Sequence, residues 1–391
     1  MQQSWRWYGP KDPVLLEHIR QAGATHVVSA LHETYEGQEW KPGDIAQRRD
    51  EIADAGLVWN VVESIPVHPS IKLGATDAER YIDAYKATIR NLAAAGLKTI
   101  CYNFMPVVDW TRTDLRYSTP NGGLGLRFDF VDFATYDIFV LNRVNAKQDY
   151  PEPTIAAASQ CFSDMTDGEI SELEQTIIAG LPGSELSHDR EGIRQQIAQF
   201  DGIDPSQLRA NLISFLQAIV PVAESVGVNM CLHPDDPPIP LFGLPRVVST
   251  ADDYRAIFDA VPSLSNGITF CAGSLGSRPD NDLAKMVREF TDRIRFAHLR
   301  NVRRQGIASF FECDHLDGDV NMIDILSVLL DEEKRRKRAG QENWEIPMRP
   351  DHGHLLIDDI HKKTNPGYSA IGRLKGLAEL RGVIKTLESL K

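Results

Sequence analysis

The chain has 391 residues, a hydrophobic share of 42% and a formal net charge of −13. An acidic chain is a poor ligand for nucleic acid, because binding to phosphates needs clustered lysines and arginines. Since no run reaches the roughly 18 apolar residues that a membrane-spanning helix needs, we expect neither nucleic acid nor a membrane among its partners.

Short β-branched or aromatic runs alternate with amphipathic stretches along most of the chain, a pattern typical of repeated βα units. The predicted strands are residues 5–8, 25–31, 57–63, 97–104, 228–233, 267–271, 294–299 and 346–351. The predicted helices are residues 13–22, 44–55, 78–95, 208–226, 252–260, 282–292, 320–338 and 369–389. Eight strands with eight helices predict a closed (β/α)8 TIM barrel.

The βα rhythm breaks between about residues 105 and 205. This stretch is not of low complexity, and its apolar periodicity at 130–144 and 170–178 predicts helices. Few barrel loops are this long without structure of their own. We expect a large, mainly helical insertion after the fourth strand, within a single domain that spans residues 1–391.

Metal-binding side chains end four consecutive predicted strands: His233, Cys271, His298 and Asp351. Active-site groups of such barrels project from the carboxyl ends of the strands, and neighbouring strands lie about 4.8 Å apart. Two imidazoles, a thiolate and a carboxylate suit Zn, Fe(II), Mn(II) or Co(II), and their softness points to Zn or Fe. We therefore expect a mononuclear metal site.

Each predicted ligand could instead have an ordinary structural role. A single histidine on a strand is usually a core residue, cysteine is usually buried and inert, and Asp351 could cap a turn. The shared placement on four successive strands favours the metal site. We assign Cys101 and Cys231, which lie within predicted strands, to the core.

The segment after the last strand offers groups for catalysis and binding. His352 or His354 could act as acid or base, and Arg349 has a planar fork that suits a carboxylate. His354 could instead bind the substrate or orient a metal ligand. Tyr368, on a later loop, could donate a proton or simply pack.

Three residues after the fourth strand are candidates for substrate binding: Asn103, Trp110 and Arg112. Trp110 and Arg112 could cover a polar substrate at the barrel mouth. The alternative is that they pack inside the insertion.

The five cysteines are odd in number and widely scattered, which argues against a disulfide framework. The N-terminus lacks the apolar stretch of a signal peptide. We expect a cytoplasmic protein.

The sequence resembles the metal-dependent D-mannonate dehydratases of the xylose-isomerase-like barrel type, nearly from end to end. The matching motifs are residues 5–10, 101–106, 110–114, 233–238, 349–353 and 365–368. The resemblance implies dehydration of D-mannonate to 2-dehydro-3-deoxy-D-gluconate in hexuronate catabolism. It also implies Mn²⁺, or Fe²⁺, and a homodimer or higher homo-oligomer.

The resemblance also implies residue roles. The metal ligands would be His233, Cys271, His298 and Asp351, and the proton-transferring groups would be His352 and Tyr368. Two other functions stay open at this point. One is a metal-dependent sugar isomerase or epimerase on the same barrel, and the other is a sugar-acid-binding protein without catalysis.

Overall fold

The computed structural model describes residues 1–34, 36–178, 189–306 and 308–390. Its strands, in chain order, are β1 (Gln2–Arg6), β2 (His26–Ser29), β3 (Val58–Glu63), β4 (Thr99–Tyr102), β5 (Asp114–Ser118), β6 (Leu124–Phe128), β7 (Asn229–Leu232), β8 (Asn266–Cys271), β9 (Ile294–His298), β10 (Asn301–Gln305), β11 (Ser309–Cys313) and β12 (Pro347–Arg349). Eight of them close into a parallel barrel in the order β1-β2-β3-β4-β7-β8-β9-β12, with β12 paired to β1. The predicted TIM barrel is confirmed.

The α-helices are α1 (Leu16–Gln21), α2 (Pro42–Asp54), α3 (Pro69–Leu73), α4 (Ala78–Ala94), α5 (Phe130–Thr135), α6 (Glu152–Asp164), α7 (Asp167–Ile178), α8 (Arg190–Gln199), α9 (Pro205–Ser225), α10 (Ala251–Ala260), α11 (Ala272–Gly276), α12 (Leu283–Glu289), α13 (Met322–Arg338) and α14 (Ala370–Ser389). A π-helical turn (Tyr136–Val140) and two 3-10 turns (Ala146–Asp149 and Ile357–His361) complete the helical segments. Across the described part of the chain, no helix is long and apolar enough to cross a bilayer.

The barrel strands are apolar on both faces because side chains fill the interior and helices cover the outside. Inside, one buried side chain from each of four strands forms a compact cluster: Val28, Val61, Cys101 and Phe296. A much larger apolar cluster lies between the strands and the surrounding helices. Cys231 is also buried, as expected.

The stretch between β4 and β7 contains helices α5 to α8, as predicted, but it also contains a β-hairpin, β5–β6. Residues 179–188 of this stretch lie outside the described residues. A second unpredicted hairpin, β10–β11, follows β9 directly. The two hairpins pair through β6 and β11 into a four-stranded antiparallel sheet, which we call the accessory sheet.

The local hydrophobic pattern of the sequence did not predict these hairpins, because their stability comes from contacts with residues distant in the chain. Strand β5 is half exposed and has no run of apolar residues. Its neighbour β6 pairs with β11, where Phe128 lies opposite Phe310. Both phenylalanines belong to a second apolar core, which also includes Phe133 and Val302.

A candidate metal centre at the barrel mouth

The four predicted ligands meet at the carboxyl end of the barrel. Ligand atoms of His233, Cys271 and His298 all lie within 4.8 Å of one another. Asp351 places Oδ1 3.9 Å from Nδ1 of His298 and Oδ2 3.8 Å from the sulfur of Cys271. Strand register brings them together, because Cys271 pairs with His298, and His298 pairs with Arg349, two residues before Asp351.

Both imidazoles present an acceptor nitrogen to the same point. Nδ1 of His233 lies 2.6 Å from the carbonyl oxygen of Pro234 and must donate to it, which leaves Nε2 as an acceptor. Nε2 of His298 lies 3.5 Å from a carboxylate oxygen of Glu63, which directs Nδ1 inwards. The two inward nitrogens are 3.2 Å apart. Two facing lone pairs repel unless a cation lies between them, so the donor set fits a metal ion.

The other two ligands are held in their anionic forms. Burial would raise the pKa of the Cys271 thiol, but Arg300, whose Nη2 lies 3.6 Å from the sulfur, helps to hold it well below its usual value. Burial would likewise raise the pKa of Asp351, yet Arg349 and, more weakly, Arg300 keep it well below its usual range. Thiolate and carboxylate are the forms that bind metal.

Four arginines and four carboxylates, one of which is the predicted ligand Asp351, form a network of ion pairs at the site. The arginines are Arg6, Arg112, Arg300 and Arg349, and the carboxylates are Glu63, Asp236, Glu312 and Asp351. All eight side chains are buried. Each carboxylate bridges two arginines, with closest N–O distances between 2.5 and 3.0 Å. We call this set the charge network. A buried charge without a partner is costly, so the eight groups stabilise one another as a unit.

The two candidate catalytic residues, His352 and Tyr368, lie beside the predicted metal ligands. Nδ1 of His352 is 2.8 and 2.9 Å from the two carboxylate oxygens of Glu312. Nε2 of the same ring lies 3.8 Å from Oδ1 of Asp351, on the side of the metal ligands. The rings of Tyr368 and Trp110 meet the imidazole edge-on, with centroids 5.0 and 6.0 Å away.

Comparison with known proteins identifies the family of this chain. The D-mannonate dehydratase (UxuA) family model matches residues 1–391. This chain belongs to the D-mannonate dehydratase family. "Mannonate dehydratase 2" of Agrobacterium fabrum is 55% identical over 388 residues, which cover 99% of this chain and 98% of the relative. The mannonate dehydratase of Saccharophagus degradans is 54% identical over 392 residues, or 100% and 99% of the two chains.

A solved structure shows the same fold. The crystal structure of mannonate dehydratase from Streptococcus suis serotype 2 matches with a TM-score of 0.79 and 32% identity, and the match covers 100% of this chain and 95% of the other. Membership of the dehydratase family therefore rests on both the sequence and the architecture.

Two arginines predicted to bind substrate form ion pairs with carboxylates of the charge network in this member of the dehydratase family. Arg112 is fully buried, its guanidinium pairs with Asp236 and Glu312, and the rings of Trp110 and Phe310 cover it at 4.7 and 5.0 Å. These contacts favour the alternative that Arg112 packs inside the protein, and direct substrate contact by Arg112 stays a prediction. Arg349 reaches the site, but its guanidinium group already forms ion pairs with Glu63 and Asp351.

The remaining predicted substrate residues differ in position. Trp110 packs edge-on against His352 at the site. Nε2 of His354 donates to the main-chain oxygen of Glu312, 2.9 Å away. Asn103 follows β4 and is half-buried. Substrate contact by these three residues stays a prediction.

Sequence analysis missed five members of the charge network that support the dehydratase site. Arg6 ends β1. Glu63 ends β3, so the strand-end rule applied to the third strand would have found it. Asp236 lies in the loop that follows His233, and Arg300 follows His298 by two residues. Glu312 lies on β11, which no local pattern predicted.

We expect Cys271→Ala to lower metal affinity by at least about 100-fold, because it removes the thiolate ligand. Metal content per chain, measured by mass spectrometry after dialysis, tests this. Cys231→Ala is the matched control, since Cys231 is equally buried on the neighbouring strand β7 but outside the ligand cluster. Wild-type metal content in Cys271→Ala would contradict the proposed ligand set.

The charge network also predicts a pH dependence of stability. Burial would raise the pKa of Glu312, but His352 and Arg300 lower it from 4.5 to about 2. A lowered pKa stabilises the folded state above the unfolded pKa, and this contribution is lost as pH falls towards the folded pKa. The difference in free energy of unfolding between wild type and Glu312→Gln should be largest above pH 4.5 and shrink below it.

Urea denaturation at a series of pH values measures this difference. Glu342→Gln is the control, because Glu342 is exposed and its substitution should matter little at any pH. If the difference in free energy of unfolding between wild type and Glu312→Gln stays constant from neutral pH down to the acid range, the lowered pKa of Glu312 is contradicted.

Proposed function

We propose that this chain catalyses the metal-dependent dehydration of D-mannonate to 2-dehydro-3-deoxy-D-gluconate and water, a step of hexuronate catabolism. The observation that supports it most is the meeting of two imidazoles, a thiolate and a carboxylate directly beside His352 and Tyr368. Full-length relatives with 54–55% identity bear the name mannonate dehydratase. The site thus combines a Lewis-acid position with two proton-transferring groups.

We propose Mn²⁺, or Fe²⁺, as the metal. His233, Cys271, His298 and Asp351 would hold it, and such a mixed set excludes the all-oxygen shells that Mg²⁺ and Ca²⁺ prefer. When bound, the cation supplies Lewis-acid stabilisation of the negative charge that develops on the substrate carboxylate. The preference for manganese over zinc comes from the family resemblance.

His352 is suited to remove the proton from C2. Because its Nδ1 lies against the Glu312 carboxylate, the neutral ring carries its hydrogen on Nδ1 and offers the lone pair of Nε2 as a base. Breaking the C2–H bond places the electron pair in a C2–C1 enediolate. This pair then forms the C2–C3 double bond as the C3–O bond breaks.

Tyr368 is suited to protonate the departing C3 hydroxyl. Burial raises the pKa of Tyr368, and Arg349 and Arg6 oppose this only in part. The phenol therefore keeps its proton near neutral pH and can give it to the leaving oxygen, which departs as water. The resulting enol becomes the 2-keto acid. The ring centroids of His352 and Tyr368 are 5.0 Å apart, which supports a base and an acid that act on neighbouring carbons.

The charges of the site favour an anionic substrate. The four arginines of the charge network balance its four carboxylates, and the Cys271 thiolate adds one negative charge. A divalent cation would leave one positive charge in excess. Buried charge needs a counter-charge, and the carboxylate of a sugar acid supplies it whereas a neutral aldose or ketose does not. This favours a dehydratase over an isomerase or epimerase.

An assay of the Mn²⁺-loaded protein against a panel of sugars tests the proposal. D-mannonate should give a 2-keto-3-deoxy acid, EDTA should abolish turnover, and added Mn²⁺ should restore it. Other aldonates show how narrow the preference is. Interconversion of neutral sugars without dehydration of aldonates would identify an isomerase or epimerase, and binding of aldonates without turnover would identify a binding protein.

Tyr368→Phe should lower kcat by at least about 100-fold, because general acid catalysis contributes roughly 10²- to 10⁴-fold. Metal content should stay at the wild-type level, since Tyr368 is not a ligand. The control is Tyr85→Phe, which removes a buried hydroxyl from a residue on α4 that packs against Phe215. Near-normal turnover of Tyr368→Phe would refute its role.

Location and assembly remain proposals of the same kind. All five cysteines are free, which supports a reducing compartment such as the cytoplasm. Assembly as a homodimer or higher homo-oligomer is proposed from the family resemblance alone.

A further inference from the structure

The carboxylate of Glu312 lies at the boundary between the barrel and the accessory sheet. We propose that Glu312 is a positioning residue, which fixes the tautomer and the orientation of His352 so that Nε2 faces the reacting carbon. This inference rests on the proposed function of His352 as the base. It assigns the accessory sheet a direct part in the chemistry.

The contact between the two side chains determines the tautomer. Both carboxylate oxygens of Glu312 lie within 2.9 Å of Nδ1 of His352. An ionised carboxylate only accepts hydrogen bonds, so the ring must carry a hydrogen on Nδ1. Nε2 then carries the lone pair, and it points to the side of Asp351, 3.8 Å away. A buried carboxylate orients the histidine of the serine-protease triad in the same way.

The carboxylate is itself held rigidly. Oε1 of Glu312 accepts from Nη1 of Arg300 at 2.6 Å and from Nη2 of Arg112 at 2.9 Å. Glu312 is only 3% exposed, so water does not compete for these contacts. The guanidinium groups of Arg300 and Arg112 therefore fix the position of the Glu312 carboxylate against the imidazole.

The imidazole has little room to adopt another orientation. Tyr368 and Trp110 meet it edge-on, at interplanar angles of 73° and 88°. Gly367 lies so close that a Cβ atom there would be 3.1 Å from Cγ of His352. With the ring confined in this way, the partner of Nδ1 decides which nitrogen can act as base.

The two hairpins cooperate in placing this carboxylate. Strand β11, which carries Glu312, pairs with β6 of the insertion, where Phe311 lies opposite Arg127. Arg112, just before β5, comes from the same insertion and binds Glu312 across 200 residues of sequence. The accessory sheet is thus the support on which the position of His352 depends.

Steady-state kinetics of Glu312→Gln with D-mannonate test the proposal. We expect kcat to fall at least about 100-fold, because loss of the orienting carboxylate is severe in comparable dyads. KM should stay within about threefold and metal content should not change, since Glu312 contacts neither the ligands' donor atoms nor the expected substrate. Glu312→Asp, which keeps the charge but shortens the reach, should be intermediate.

Glu332→Gln is the matched control. Glu332 is also 3% exposed and bound by two arginines, Arg335 and Arg336, but it lies on α13 away from the site. We expect it to lower the melting temperature and leave kcat within about twofold of wild type. If Glu312→Gln loses no more kcat than Glu332→Gln, the role of Glu312 is structural and the proposal is wrong.

A spectroscopic measurement tests the same point without a substrate. In protein loaded with diamagnetic Zn²⁺ and labelled with ¹⁵N-histidine, the His352 signals are assigned by their loss in His352→Gln. They should report the Nδ1–H tautomer in wild type and a shift towards Nε2–H in Glu312→Ala. An unchanged tautomer overturns the proposal.

The two measurements also separate this inference from the proposed function. Failure of the wild-type protein to dehydrate any aldonate would reject the proposed function, and the tautomer shift would still decide the effect of Glu312 on His352. Active wild type together with near-normal Glu312→Gln would reject the inference alone.

Discussion

The alternation of four buried arginines with four buried carboxylates is the constraint on which the site depends. Each charge would cost several kcal/mol if it were buried without a partner, yet every carboxylate here bridges two guanidinium groups. The network therefore forms as a set. Its members determine which side chains stay ionised, and they place Glu63 and Asp351 against the ring of His298.

The same charges join the barrel to the accessory sheet. Arg112 and Glu312 belong to the hairpin region and contact groups that follow barrel strands, such as Asp236 and Arg300. The apolar faces of the hairpins pack into a separate core, which gives the sheet its stability, while the ion pairs give it its position. His352, the base in the proposed mechanism, lies at the barrel mouth, and Glu312, which contacts its ring, lies on the accessory sheet outside the barrel.

Prediction from the sequence succeeded where local pattern and fold geometry agree. Alternating apolar runs and amphipathic helices identified the barrel, and the rule that strand ends converge brought His233, Cys271 and His298 to one place. It left the role of Arg112 open, because a charged residue in a loop has the same local signature whether it faces a substrate or a buried carboxylate. It also missed Glu312, whose strand is defined by pairing with β6, nearly two hundred residues earlier in the chain.

The sequence by itself thus determined the barrel, the order of its strands and the chemical character of the proposed metal ligands, because hydrophobic periodicity is local and parallel strands must end at one face. Only the tertiary structure decided which charges neutralise one another, which nitrogen of His352 carries the hydrogen, and which groups approach the metal ligands. Those properties depend on distances of 2.5 to 4 Å between residues far apart in the chain, and no pattern along the chain encodes such distances.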